Sequence, residues 1–219
     1  MFEQYAVIFD MDGVIIDSGP IHYESWKKLA NEIGVSFSEN YFKKTFGKQG
    51  IPTLKKIINK KVSDKQLHEW VELKEVYYRQ MIKNNITAIL GVIPLIKELK
   101  ENFFKLAVAT SGPPKNTDLL LTTLKIKHFF DQIVTAIDIK KGKPAPDVFL
   151  MVSKNLNISP QNCLVIEDAP VGIKAAKKAE MKCIALATTH EKSKLAKADL
   201  IIDSFSEINL NDIIELLKS

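Results

Sequence analysis

Short apolar runs and amphipathic stretches alternate along most of the chain, and the alternation is interrupted once. Tyr5 to Phe9 is β-branched and aromatic without polar alternation, the pattern of a strand covered on both faces of a parallel sheet. From Pro20 to Gly34, Ile21, Trp26, Leu29, Ala30 and Ile33 recur at helical spacing, and Gly34 supplies a stop. Further helical patterns cover Glu39 to Thr45, Pro52 to Asn59 and Asp64 to Lys83, the last opened by Ser63 and Asp64 as caps. Residues 18–86 therefore read as all-helical. After them the pattern becomes helix from Pro94, strand Leu106 to Ala109, helix from Lys115 and strand Gln132 to Thr135. Helix Pro146 to Leu156, strand Cys163 to Ile166, helix Val171 to Ala179, strands Lys182 to Leu186 and Leu200 to Ile202, and helix Leu210 to Lys218 complete it. Such alternation specifies a parallel sheet with helices on both faces. The expected organisation is an α/β core of residues 1–17 and 87–219, with residues 18–86 inserted as a second, helical domain. Hinges near Asp17 and Thr87 would let that domain open and close.

Composition narrows the class. The 219 residues are 46% hydrophobic and 26% charged, ordinary for a chain that buries a core. No apolar run approaches the roughly 20 residues of a spanning helix, and the first residues lack a basic segment followed by an apolar signal core. A cytoplasmic protein without membrane contact is expected. Cys163 and Cys183 lie in or beside apolar strands without a CxxC or Cys/His neighbourhood, and read as reduced core thiols. The net charge of +5 comes from scattered lysines such as Lys55-Lys56 and Lys177-Lys178, without interleaved aromatics, so nucleic acid is not an expected partner. No GxGxxG or Walker pattern is present.

The candidate chemistry gathers at strand ends. The first strand stops on Asp10-Met11-Asp12-Gly13, two carboxylates that an extended chain can point the same way, with a glycine that lets the backbone turn. Ligands of open α/β sheets bind at the carboxyl ends of such strands. Like charges that close need a hard cation, or one ionised and one protonated carboxyl. Taken alone, the motif also reads as an ordinary Asp/Gly turn. Three later strand ends or loops change its weight. Thr110-Ser111-Gly112 offers small hydroxyls and backbone donors suited to phosphoryl oxygens. Gly142-Lys143-Pro144-Ala145-Pro146-Asp147 is a stiffened loop whose Pro146 can open a helix and fix Lys143 near its start. Glu167-Asp168-Ala169-Pro170 puts two carboxylates between a buried strand and a helix.

In this order and in these contexts, the four segments resemble the signatures of the haloacid dehalogenase superfamily of phosphohydrolases and phosphomutases. Glu167 to Ile173 and Lys143 to Asp147 look particularly like the branch holding sugar-phosphate phosphatases and β-phosphoglucomutases. The resemblance covers the whole chain and implies a Rossmann-like core with a helical cap at 18–86. It also implies an enzyme: Asp10 as the nucleophile that forms an aspartyl-phosphate, Asp12 as general acid and then base, and Lys143 balancing charge. Mg2+, which suits an all-oxygen site, would be held by Asp10, the backbone carbonyl of Asp12, Asp168 and, directly or through water, Glu167. Thr110 or Ser111, with Gly112, would contact the phosphoryl oxygens. His22, a helix histidine that alone reads as structural or exposed, and Lys48 beside Gly47 fall where such caps meet substrate. Lysine in place of arginine there would lose bidentate phosphate recognition and weakens the mutase reading. The expected function is a Mg2+-dependent phosphatase of a small sugar or polyol phosphate, monomeric by default. A β-phosphoglucomutase is the alternative, and a catalytically silent phosphometabolite-binding module is the alternative of another class.

Overall fold

A computed structural model describes residues 4–46, 50–58, 61–83 and 86–219 of the chain. They form two compact units, Met1–Asp17 with Thr87–Ser219, and Ser18–Ile86. The first unit contains a six-stranded sheet of β1 (Ala6–Phe9), β2 (Lys105–Ala109), β3 (Gln132–Val134), β4 (Cys163–Glu167), β5 (Lys182–Leu186) and β6 (Leu200–Ile202). Their spatial order is β3-β2-β1-β4-β5-β6 and every pairing is parallel. β1 lies between β2 and β4, with Phe9 opposite Val108 on one side and Ile166 on the other. All four of its residues are buried, which is why it reads as a continuous apolar run.

Five helices belong to the same unit among the described residues: α5 (Val92–Glu101), α6 (Pro114–Thr123), α7 (Asp147–Leu156), α8 (Pro170–Lys178) and α9 (Leu210–Lys218). α7 and α8 pack against strands through a shared core of Val148, Phe149, Val152, Ile173, Ala175 and Ala176 with Ile8, Ala107 and Val165. Several boundaries differ from the sequence expectation by one or two residues, those of α5 and α7 among them. α5 starts at Val92, two residues before Pro94, because a proline in the first turn removes only an N–H that has no intrahelical partner. Pro146 is the N-cap of α7 rather than its first residue.

The second unit is helical throughout its described residues: α1 (Gly19–Ile33), α2 (Glu39–Thr45), α3 (Gly50–Ile57) and α4 (Asp64–Ile82). α1 packs along α4, and Trp26, Leu29, Phe42, Leu54 and Leu67 form its core. Ser38 and Ser63 cap α2 and α4 by accepting from the N–H groups of Tyr41 and Gln66. Asn59, expected to close the third helix, lies outside the described residues. No helix among the described residues is long and apolar enough to cross a membrane.

Candidate active site

The three central strands β2, β1 and β4 end side by side, and the residues that follow them build the site. Asp10 continues β1, its N–H donating to the Ile166 carbonyl at 3.0 Å. Thr110 continues β2, its N–H donating to the Val134 carbonyl at 3.0 Å, while its hydroxyl oxygen accepts from the Gly112 N–H at 3.0 Å. Glu167 is the last residue of β4 and Asp168 follows it. Asp10, Glu167 and Asp168 are exposed by 7%, 1% and 3%, and one oxygen from each lies within 4.8 Å of the others.

Lys143 enters this acidic group from the loop before α7. Its Nζ donates to Asp10 Oδ1 at 2.5 Å, Glu167 Oε1 at 2.7 Å and the Ala109 carbonyl at 3.2 Å, and stands 5.0 Å from the centre of the Phe149 ring. The other Glu167 oxygen accepts from the N–H groups of Asp168 and Ala169, both at 2.8 Å. This carboxylate thus ties Lys143 to the turn that carries Asp168. Gly172 makes room for it: a Cβ there would stand 1.6 Å from Glu167 Oε1. Gly13 is the other glycine the site requires. It has φ +81, and a Cβ on it would come within 2.2 Å of Asp168 Oδ2.

Three carboxylates around one ammonium leave an excess of buried negative charge. Burial pushes the Asp10 carboxyl up to about 7; Lys143 opposes the shift, and Glu167 and Asp12 add to it. Asp168 is raised well above the usual carboxylate range by burial and by Glu167 and Asp10, against the hydroxyl of Thr189. Burial would lower Lys143, but Asp10 and Glu167 outweigh it and hold the ammonium more firmly protonated than usual. Buried carboxylate oxygens with uncompensated charge are the donor set a hard divalent cation takes. Asp10, Glu167 and Asp168 could hold one.

The structure thus brings Asp10, Lys143, Glu167 and Asp168 into one group, with Asp10 meeting Lys143 across 133 residues of sequence. The Asp12 side chain is not part of the three-carboxylate group, and the sequence resemblance had assigned its backbone carbonyl, not its side chain, to a metal. Ser111 and Gly112 lie in the turn after Thr110, where the Gly112 carbonyl accepts from the Ala136 N–H at 3.3 Å. His22 lies in the helical unit. Its ring stacks on Tyr78 with centroids 4.0 Å apart, and its Nδ1 is 2.8 Å from Nζ of Lys74, a lysine only 2% exposed. Gly47 and Lys48 lie outside the described residues.

Sequence reading missed two groups. Lys74 sits in a long helix with polar flanks and carried no local signal. Thr188 and Thr189 follow β5 at the same sheet edge, so their place after a strand was the signal. The Thr189 hydroxyl donates to Asp168 Oδ2, and that of Thr188 to the Gly13 carbonyl at 2.5 Å.

A parallel α/β sheet with buried carboxylates and a lysine at its C-terminal edge is a class of enzyme site, and comparison with known proteins narrows the class. The family model of haloacid dehalogenase-like hydrolases matches residues 7–186. The chain is 34% identical to a phosphorylated carbohydrates phosphatase of Thermotoga maritima, over 82% of this chain and 83% of that protein. It is 31% identical to a β-phosphoglucomutase of Bacillus subtilis, over 94% and 92%. Among solved structures, a β-phosphoglucomutase from Clostridium difficile superposes with a TM-score of 0.88 at 33% identity, covering 98% of this chain and 97% of that one. This chain belongs to the haloacid dehalogenase-like hydrolase family.

Proposed function

We propose that the protein is a Mg2+-dependent phosphatase of a small phosphorylated metabolite, a sugar or polyol phosphate, working through an aspartyl-phosphate on Asp10. The observation that carries this reading is the buried group of Asp10, Glu167 and Asp168 around Lys143 at the ends of β1 and β4. The phosphatase and mutase relatives support it.

In this mechanism a carboxylate oxygen of Asp10 attacks phosphorus, and the bond from phosphorus to the leaving oxygen breaks. Asp12 gives that oxygen its proton and the free sugar departs. Asp12, now ionised, takes a proton from water as the water oxygen attacks phosphorus; phosphate leaves and Asp10 is regenerated. Lys143 holds Asp10 in place and neutralises part of the charge that builds between carboxylate and phosphoryl oxygens. Thr110 or Ser111, with the backbone of Gly112, holds the phosphoryl oxygens. Asp10, the Asp12 carbonyl and Asp168 would hold Mg2+, with Glu167 joining directly or through water, and the ion would supply charge that offsets the repulsion between two anions. Residues 18–86 act as the cap that selects the leaving group, with His22 and Lys48 as its contacts to substrate. The setting is cytoplasmic and the protein monomeric.

A second reading, β-phosphoglucomutase, is favoured by the mutase relative and neighbour, which span more than nine-tenths of the chain. Incubation with Mg2+ and a panel of sugar, polyol and nucleotide monophosphates plus β-glucose 1-phosphate separates the two, with phosphate release and isomer formation followed together. Phosphate release that EDTA abolishes is the expected result. Isomerisation without release moves the assignment to the mutase, and tight binding without turnover moves it to a silent binding module.

A further inference from the structure

The loop after β5 belongs to none of the four segments that carry the proposed chemistry, yet it touches two of them. Thr188 and Thr189 are exposed residues, so core packing does not explain where their hydroxyls go. Thr188 Oγ1 donates to the Gly13 carbonyl at 2.5 Å, across 175 residues of sequence, and so braces the turn just after Asp12. Thr189 Oγ1 donates to Asp168 Oδ2, and its methyl lies against Gly13, where an added Cβ would come within 2.9 Å of it. The Thr189 hydroxyl is also 2.9 Å from Nδ1 of His190. A hydroxyl has one proton to give. Given to Asp168, it leaves the oxygen of Thr189 to accept from His190, which makes His190 the Nδ1–H tautomer and sets a polarised chain from imidazole through hydroxyl to carboxylate.

We propose that Thr189, supported by His190, is a positioning residue that fixes the rotation of the Asp168 carboxylate and thereby sets the affinity of the site for Mg2+. The inference rests on the reading of Asp168 as a metal ligand. A carboxylate can rotate about its last bond, and a donor on one oxygen decides which lone pairs of the other face the cation. The loop is exposed, so core packing does not depend on the hydroxyl, and its loss acts on the Asp168 carboxylate and through it on the metal.

The test is titration calorimetry of Mg2+ into the full-length metal-free protein, comparing wild type with Thr189→Val, which keeps the packing against Gly13 and loses the hydroxyl, and with Thr189→Ser, which restores it. The expected result is Mg2+ binding weakened about 10-fold in Thr189→Val and returned close to wild type in Thr189→Ser, with a cooperative thermal transition in EDTA showing that all three proteins are folded. Wild-type affinity in Thr189→Val overturns the inference alone. An equal loss in both variants also overturns it, because the hydroxyl is then not the cause. No Mg2+ binding by wild type removes the metal reading itself and the inference with it. If Thr189→Val does not fold, His190→Phe replaces it, with a smaller loss of affinity expected and unchanged affinity counting against the inference.

Discussion

The two edges of the sheet carry charge clusters of similar size and opposite balance. At the N-terminal edge, Asp131 accepts from Lys100 at 2.7 Å, Lys105 at 3.0 Å and the Leu106 N–H at 2.9 Å. Its side chain is 19% exposed and the two lysines are 33% and 38% exposed. Burial works against this carboxylate, but the lysines and the backbone donor prevail and hold it below the usual range. At the C-terminal edge the signs are reversed: Asp10 and Glu167 share Lys143, whose side chain is 6% exposed, Asp168 stands beside them, and burial prevails instead. A cluster whose charges complement one another needs nothing further, and its carboxylate is a strap between strands. Buried charge left in excess costs folding energy and persists where a ligand completes it. The contrast separates a structural ion pair from a candidate site without reference to any motif.

The sharpest way to break that comparison is Asp10→Asn. Activity falls at least about a thousandfold, because the amide is no nucleophile, and near-normal turnover would end the proposed chemistry. The same substitution also tests the electrostatics. A carboxyl raised from 3.8 to about 7 favours folding at low pH, and that contribution is lost as pH rises through about 7. Metal-free wild type should therefore lose thermal stability on going from acid to alkaline pH, and metal-free Asp10→Asn should lose less of it; identical pH profiles would contradict the excess-charge account.

Lys143→Met comes next. It strands three carboxylates without their ammonium and should destabilise the metal-free protein by about 3–5 kcal/mol in chemical denaturation, with Mg2+ recovering part of the loss. Gly172→Ala follows, at about 3 kcal/mol, since its methyl overlaps Glu167 and must displace the carboxylate that ties Lys143 to the Asp168 turn. A change within experimental error would show that Glu167 has room to move. The smallest effect belongs to the other edge. Asp131→Asn should cost about 1 kcal/mol and leave activity unchanged. Because the Asp131 carboxyl is lowered, its contribution is present above the unfolded value and disappears as pH falls through the folded one, opposite in direction to Asp10.

Much of the site was legible because its parts stand at fixed places in a regular pattern. Asp10, Thr110, Glu167 and Asp168 each sit at or just after a strand end, and parallel pairing of β2, β1 and β4 then brings them together. Lys143 was legible through the loop that opens α7, although its contact with both Asp10 and Glu167 depends on packing that no spacing rule gives. Glu167 shows the limit more clearly. The resemblance offered it as a metal ligand, but no spacing shows that one of its oxygens accepts from Lys143 and the other from two backbone donors, in space that Gly172 leaves open. The pairing of Lys74 with His22 spans 52 residues, and the Thr188 contact with Gly13 spans 175. Contacts at such separations arise from tertiary packing and leave no periodic trace in the chain.

The most direct test of the central claim is to find the phosphoryl group on Asp10. The protein is mixed with Mg2+ and acetyl phosphate, whose leaving group needs no proton, quenched in acid within a single turnover and reduced with borohydride, and the peptide containing residue 10 is mapped by mass spectrometry. The account predicts conversion of Asp10 to homoserine, absent when EDTA precedes the acetyl phosphate and absent in Asp10→Asn. Phosphate release with Asp10 unmodified, or modification of a different residue, would contradict it.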